Sequence, residues 1–106
     1  MQIDRLDGAR GERRASGHLY REFVRVPALS AGLYALAAGA SDPPRPHAED
    51  EVYHVVSGTA RFWCTGESHA VGAGDVIYVE AGAEHRFVDI TEDLSVLVFF
   101  APAEAG

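Results

Sequence analysis

The chain of 106 residues has no lysine, and only one cysteine, one tryptophan and one methionine. A lone Cys64 excludes an intramolecular disulfide, so nothing points to an oxidising compartment. No apolar run is long enough to span a bilayer, and the N-terminus lacks the apolar stretch of a signal peptide. A cytoplasmic protein is therefore expected. All nine basic side chains are arginine, set against 16 acids, for a formal charge of −7. That excess repels a nucleic-acid backbone and an anionic membrane surface, so neither is expected as a partner. At this length, 47% hydrophobic residues suffice for one core and one domain.

Residues 1–18 are polar, with Arg5, Arg10, Arg13 and Arg14 offset by Asp4, Asp7 and Glu12. Such a segment buries too little apolar surface to order itself, and a mobile lead-in or a late-docking edge is expected. The folded domain is then residues 19–106. From Leu19 onward, short apolar runs alternate with turn signals, which predicts an all-β protein. Strands are predicted at 20–26, 31–37, 45–48, 51–57, 59–65, 67–71, 75–79, 84–90 and 94–100. Turns are expected at Ser57-Gly58, Thr65-Gly66, Gly72 to Gly74, Ala81-Gly82 and Thr91-Glu92-Asp93. Leu33 to Ala38 is rich in alanine and favours helix by propensity. Gly32 and Gly39 bracket too few residues for a stable helix, so a strand is predicted there as well.

Two segments carry the chemistry. Gly39, Arg45, His47, Glu51 and Gly58 are spaced as G-x5-R-x-H-x3-E-x6-G. Gly74, Glu80, Gly82, His85 and Asp89 follow as G-x5-E-x-G-x2-H-x3-D. This ordered pair resembles the two motifs of the cupin family, G-x5-H-x-H-x3-E-x6-G and G-x5-P-x-G-x2-H-x3-N. Arg45 stands where the family has its first histidine, Glu80 replaces the proline, and Asp89 replaces the asparagine. The resemblance implies a double-stranded β-helix, or jelly-roll, barrel. It also implies a metal held by His47, Glu51 and His85, three of the family's usual four ligands. Two imidazoles and one carboxylate suit a divalent transition metal, with Fe(II) favoured and Mn, Ni or Zn as alternatives.

The period of two along a strand decides which side chains can meet. Glu51, Tyr53 and Val55 share one face, with Val52, His54 and Val56 on the other. His85, Phe87 and Asp89 are expected to share a face. Glu49 is a second acid with ligand chemistry, and His54 faces the wrong way for a ligand. His18 and His69 read as solvated, and Cys64 as a small buried hydrophobe pointing with Ala60 and Phe62. Tyr34, Tyr53, Phe62 and Phe87 are expected to line an apolar cavity that binds a small organic ligand.

Arg45 is the main departure from the motif. A guanidinium keeps its proton and cannot ligate a metal. Three readings stay open: it turns outward or pairs with the acidic connection, it anchors a substrate carboxylate, or it marks a barrel that has lost its metal. The expected function is metal-dependent oxidation or isomerisation of a small molecule, with a non-catalytic sensor or storage cupin as the alternative. A homodimer is expected, with Trp63, Val52 and Val56 on its buried face and the N-terminal segment crossing to the partner.

Overall fold

The computed structural model describes residues 1–43 and 46–105. Among the described residues there are one helix, α1 (Leu6–Ser16), and six strands. These are β1 (Tyr20–Val26), β2 (Leu29–Leu36), β3 (Asp50–Cys64), β4 (Glu67–Gly72), β5 (Val76–Val79) and β6 (His85–Ala101). All pairings are antiparallel, in the order β1-β2-β6-β3-β4, with β5 also on β3. No helix among the described residues is long and apolar enough to cross a membrane.

The N-terminal segment corrects the sequence reading, because α1 occupies the stretch expected to lack structure. Its signal lies in charge order rather than in apolar periodicity. Asp7 sits in the first turn and Arg13 and Arg14 in the last, each opposing the helix dipole at its end. Gly17 then adopts φ 73°, and its N–H closes the helix on the Arg14 carbonyl at 3.2 Å. Ala9 is the buried residue of α1, which packs against β1 and β2.

Two predicted strand pairs are single long strands. Residues 51–57 and 59–64 belong to β3, and 85–90 and 94–100 belong to β6, so the turns expected at Ser57-Gly58 and Thr91-Glu92-Asp93 do not form. Irregularities within the ladder replace them. The β3–β6 register shifts between Val55 and Ser57, between Ser57 and Thr59, and again between Thr59 and Arg61. Burial changes phase at the same place: Glu51, Tyr53 and Val55 point inward on one parity, Ala60 and Phe62 on the other. In β6 the switch falls after Phe87, where Asp89 takes φ 49°. Asp89 is consequently exposed rather than sharing the inner face with His85, and Ile90 is buried in its place. Such bulges bend a strand and increase its twist, which lets one long strand do the work of two.

The remaining turns agree with expectation. Thr65 and Gly66 both have positive φ and join β3 to β4 as a two-residue hairpin. Asp75 Oδ2 accepts the Gly72 N–H at 2.8 Å in the turn before β5. Residues 46–48, part of a strand predicted at 45–48, lie outside any strand, and Arg45 lies outside the described residues. Leu33 to Leu36 extend β2 as predicted.

The core lies between the inward faces of β2, β3 and β6, where Leu36, Val55, Leu94, Val96 and Val98 are buried. Tyr53, Phe62 and Phe87 meet there edge to face, with centroids 5.0–5.6 Å apart. Cys64 packs against the same cluster but is half-buried rather than buried. Trp63, on the opposite parity, is half-buried, with the Arg86 guanidinium 5.9 Å over its ring. Val52 and Val56 are half-buried on their outward face, and His54 is exposed.

Candidate metal centre

His47, Glu51 and His85 converge, each offering a ligand atom within 4.8 Å of the others. Glu51 enters from the second residue of β3 and His85 from the first of β6. His47 comes from the loop before β3. Its carbonyl accepts the Gly82 N–H at 2.7 Å, which ties the two motif segments together. Asp50 reinforces the tie, because its Oδ1 accepts the Ala81 N–H at 2.9 Å. The second-motif turn is thus held against the first-motif loop, and the ligands meet although 34 residues separate Glu51 from His85. The His47 ring stands edge-on to Phe100, 4.9 Å away, and 5.7 Å from the His85 ring.

The tautomer of His85 shows what this cluster fits. Nδ1 lies 2.8 Å from the Ala83 carbonyl, which only accepts, so Nδ1 carries the proton. Nε2 stands 2.8 Å from Glu51 Oε1. In the neutral imidazole those two atoms face each other as lone pairs, and the buried Oε1 has no hydrogen-bond donor. Glu51 is 2% exposed and His85 4%. A buried polar atom without a partner is costly, and a cation between the carboxylate and the imidazole would satisfy both. Without a cation, a second proton on His85 serves. Burial pulls the imidazolium downward. Hydrogen bonds to Glu51 and the Ala83 carbonyl, with the charges of Glu51 and Asp42, outweigh that and raise its pKa above 6.5.

The cluster opens onto a cavity of about 90 Å³. Tyr34 and Tyr53 line it, together with Tyr20, Asp42, Pro43, Val98, Phe100 and Glu104. Phe62 and Phe87 do not: they are buried in the core cluster, each with its ring against Tyr53. Tyr53 Oη lies 3.1 Å from His85 Nε2. Burial, followed by the charge of Glu51, holds its phenol protonated well above the usual range. Tyr20 is raised in the same way, chiefly by burial and then by Glu104. Tyr34 donates to Asp42 Oδ1 at 2.7 Å, and Asp42 Oδ2 accepts the Phe87 N–H at 2.9 Å, which fixes that wall.

Tyr20, Asp42 and Glu104 were not legible as site residues. Tyr20 reaches the cavity because its ring lies across Gly32; a Cβ there would stand 2.4 Å from the ring. Gly32 marks a close approach that a sequence signals only as a glycine inside a strand. Glu49 is buried but stands outside the cluster, where its Oε2 accepts the Ala105 N–H at 3.2 Å. His54 and His18 are exposed, and His69 is exposed beside Glu67. Arg45 lies outside the described residues, so its three readings stand as before.

Comparison with known proteins agrees with this geometry. A family model for the cupin domain matches residues 32–100. This chain is a cupin. It is 49% identical over 105 residues to an uncharacterized protein of Streptomyces coelicolor, covering 99% of this chain and 100% of that one. Its fold superposes with a TM-score of 0.75 on a cupin 2 conserved barrel domain protein from Salinispora arenicola, at 23% identity, covering 95% and 88% of the two chains. It is also similar to the DMSP lyase DddQ of Ruegeria pomeroyi, with a TM-score of 0.68 and 25% identity, covering 72% of this cupin and 39% of the lyase. The cupin thus spans about two-fifths of the lyase's length.

Proposed function

We propose that this cupin holds one divalent transition metal through His47, Glu51 and His85 and uses it to bind and transform a small oxygen-bearing organic molecule. The sheet, bent at its two long strands, is read as the jelly-roll barrel of the family. The observation that carries the metal reading is the pair of buried atoms, Glu51 Oε1 and His85 Nε2, 2.8 Å apart, which need either a cation or a second proton on His85 between them. Two imidazoles and a carboxylate suit Fe(II) best, with Mn, Ni and Zn as alternatives, and three protein ligands leave positions open. A bound metal would supply Lewis-acid polarisation of an oxygen donor or, as Fe(II), access to dioxygen chemistry.

The chain's own groups set the rest. Tyr53 and Tyr20 present protonated phenols to the cavity, so each donates a hydrogen bond to an oxygen of the bound molecule. Tyr34, braced by Asp42, forms a fixed wall. The cavity, about 90 Å³, suits a small molecule. Oxygenation and isomerisation both fit such a site, and a protein of similar fold is a DMSP lyase.

One observation favours a second reading, binding without turnover. Both imidazoles and Glu51 are used as ligands, Asp42 already accepts two hydrogen bonds, and the phenols keep their protons. Glu104, the remaining carboxylate of the lining, stands 3.0 Å from His47 Nδ1, so each described acid or base of the lining already has a partner. Metal analysis of the purified protein comes first, with about one ion per chain expected. Oxygen uptake by the Fe(II) form with catechols and small diketones, and anaerobic solvent-deuterium incorporation with the Mn, Ni and Zn forms, then separate the two. Turnover in either assay supports the enzyme; saturable binding with neither reaction supports the binding module. Failure to retain any of the four metals overturns the metal reading itself.

A further inference from the structure

The segment that follows β6 brings Glu104 to the lining of the cavity and is pinned at several points. The Ala103 N–H reaches the Pro27 carbonyl at 3.3 Å. The Glu104 N–H donates to Ser30 Oγ at 2.9 Å, and its carbonyl accepts from Arg25 Nη2 at 2.7 Å. The Ala105 N–H donates to Glu49 Oε2. Ser30 and Glu49 are 0% and 6% exposed, so two buried polar side chains accept backbone N–H groups of this segment. That explains why Glu49 is buried without being a ligand.

The anchoring delivers one side chain to the site. Glu104 Oε2 stands 3.0 Å from His47 Nδ1. Both groups are mostly covered, at 20% and 22% side-chain exposure. Glu104 itself does not belong to the convergent ligand group. An ionised carboxylate only accepts, so its partner Nδ1 carries the imidazole proton and the other ring nitrogen keeps its lone pair. His85 is prepared in the same sense, with Nδ1 on the Ala83 carbonyl.

We propose that Glu104 is a positioning residue that fixes the tautomer and orientation of His47 for metal ligation, with residues 102–105 acting as the strap that holds it there. The inference rests on the metal reading of the same cluster. A carboxylate behind a ligating histidine raises the basicity of the ring and removes its freedom to rotate, and its loss typically weakens metal affinity by about 10–100-fold. Because Glu104 of the docked strap prepares His47 for the metal, metal binding strengthens strap docking by the same factor as the strap strengthens metal binding.

The test uses the full chain and two readouts. In the metal-free protein, imidazole ¹⁵N shifts should place the His47 proton on Nδ1, and Glu104→Ala should move it toward Nε2 or into a mixture. Calorimetric titration with Ni(II) alone should then show binding weakened about 10–100-fold in Glu104→Ala. Glu104→Gln should restore much of it, because the amide oxygen still accepts from Nδ1. In a His47→Ala background, Glu104→Ala should add no further loss. An unchanged His47 tautomer in Glu104→Ala overturns the proposal whatever the metal does. Ni(II) affinity within twofold of the parent in Glu104→Ala, with binding lost in His47→Ala, overturns it while leaving the metal site intact. A parent protein that binds no Ni(II), Fe(II), Mn(II) or Zn(II) overturns the metal reading and this inference with it.

Discussion

Gly58 in β3 lies so close to Asp93 in β6 that a Cβ on it would stand 2.3 Å from the Asp93 carbonyl oxygen. Its backbone also takes φ 95°, a conformation that L side chains rarely adopt. This is where the ladder between the long strands slips and the inward parity changes, so the last glycine of the first motif marks a bend within β3. Gly58→Ala meets both the backbone contact and the positive φ. The expected destabilisation is about 2–4 kcal/mol, the sum of the left-handed penalty and of overpacking against backbone. Urea unfolding measures it, and a loss under about 0.5 kcal/mol would mean that the strands part there without cost.

That glycine also shows what the sequence could and could not say. Ser57-Gly58 reads as a turn, and a turn and a bulge use the same residue for the same reason, access to positive φ. Local sequence does not reveal that the strand resumes on the same partner. The alternation on each side of the bend was legible, so the inward set Glu51, Tyr53 and Val55 and the pair His85 and Phe87 were placed correctly. Asp89 was misplaced because its φ of 49° breaks the period of two that the reading assumed. The three converging site residues were legible because their spacing is fixed by local geometry and by the family motifs. Glu104 and Tyr20 were not, since each reaches the cavity through a long-range contact, with Ser30 and across Gly32 respectively.

His85 makes the metal-free protein sensitive to pH. Its folded pKa is raised because hydrogen bonding to Glu51 and the Ala83 carbonyl outweighs the effect of burial. A raised value means that the native state binds the proton more tightly than the unfolded chain does. The stabilisation is fully present below the unfolded pKa of about 6.5 and is lost as pH rises through the folded value. Metal-free protein should therefore melt at progressively lower temperature across that window, and His85→Gln should flatten the slope. Metal competes with the same proton, so affinity should rise with pH over the same range. A melting temperature that climbs from pH 6 to 8 without metal would contradict this.

Arg45 offers a test that needs no knowledge of the substrate. Arg45→His restores the histidine that the family motif carries at this position. If Arg45 turns outward or pairs with the acidic connection, the new imidazole should add a fourth ligand and tighten Ni(II) binding by at least about tenfold. If the guanidinium anchors a substrate carboxylate, affinity for small carboxylates should fall in the same variant while the metal is retained. Titrations with Ni(II), and then with a carboxylate series on the metal-loaded protein, separate these outcomes. No change in either would show that position 45 does not reach the cavity.

The identity of the ligands rests on strand register, and a one-residue slip would send every side chain of β3 to the opposite face. Glu51 and His54 lie on opposite faces of that strand, the first 2% exposed and the second at the surface. His47→Ala and His85→Ala should each lower metal affinity by at least about 100-fold, and Glu51→Gln should do nearly as much by removing the charge. His54→Ala should change neither affinity nor fold. Tyr53→Phe supplies a finer comparison, because it deletes only the hydroxyl 3.1 Å from His85 Nε2. The buried ring keeps its edge contacts with Phe62 and Phe87, so the fold should lose no more than about 1–2 kcal/mol, the cost of one buried hydrogen bond. Metal should still bind, while affinity for an oxygen-bearing ligand falls because its hydrogen-bond donor is gone. Loss of metal in His54→Ala, with His85→Ala unaffected, would reverse the assignment of faces on which the whole centre depends.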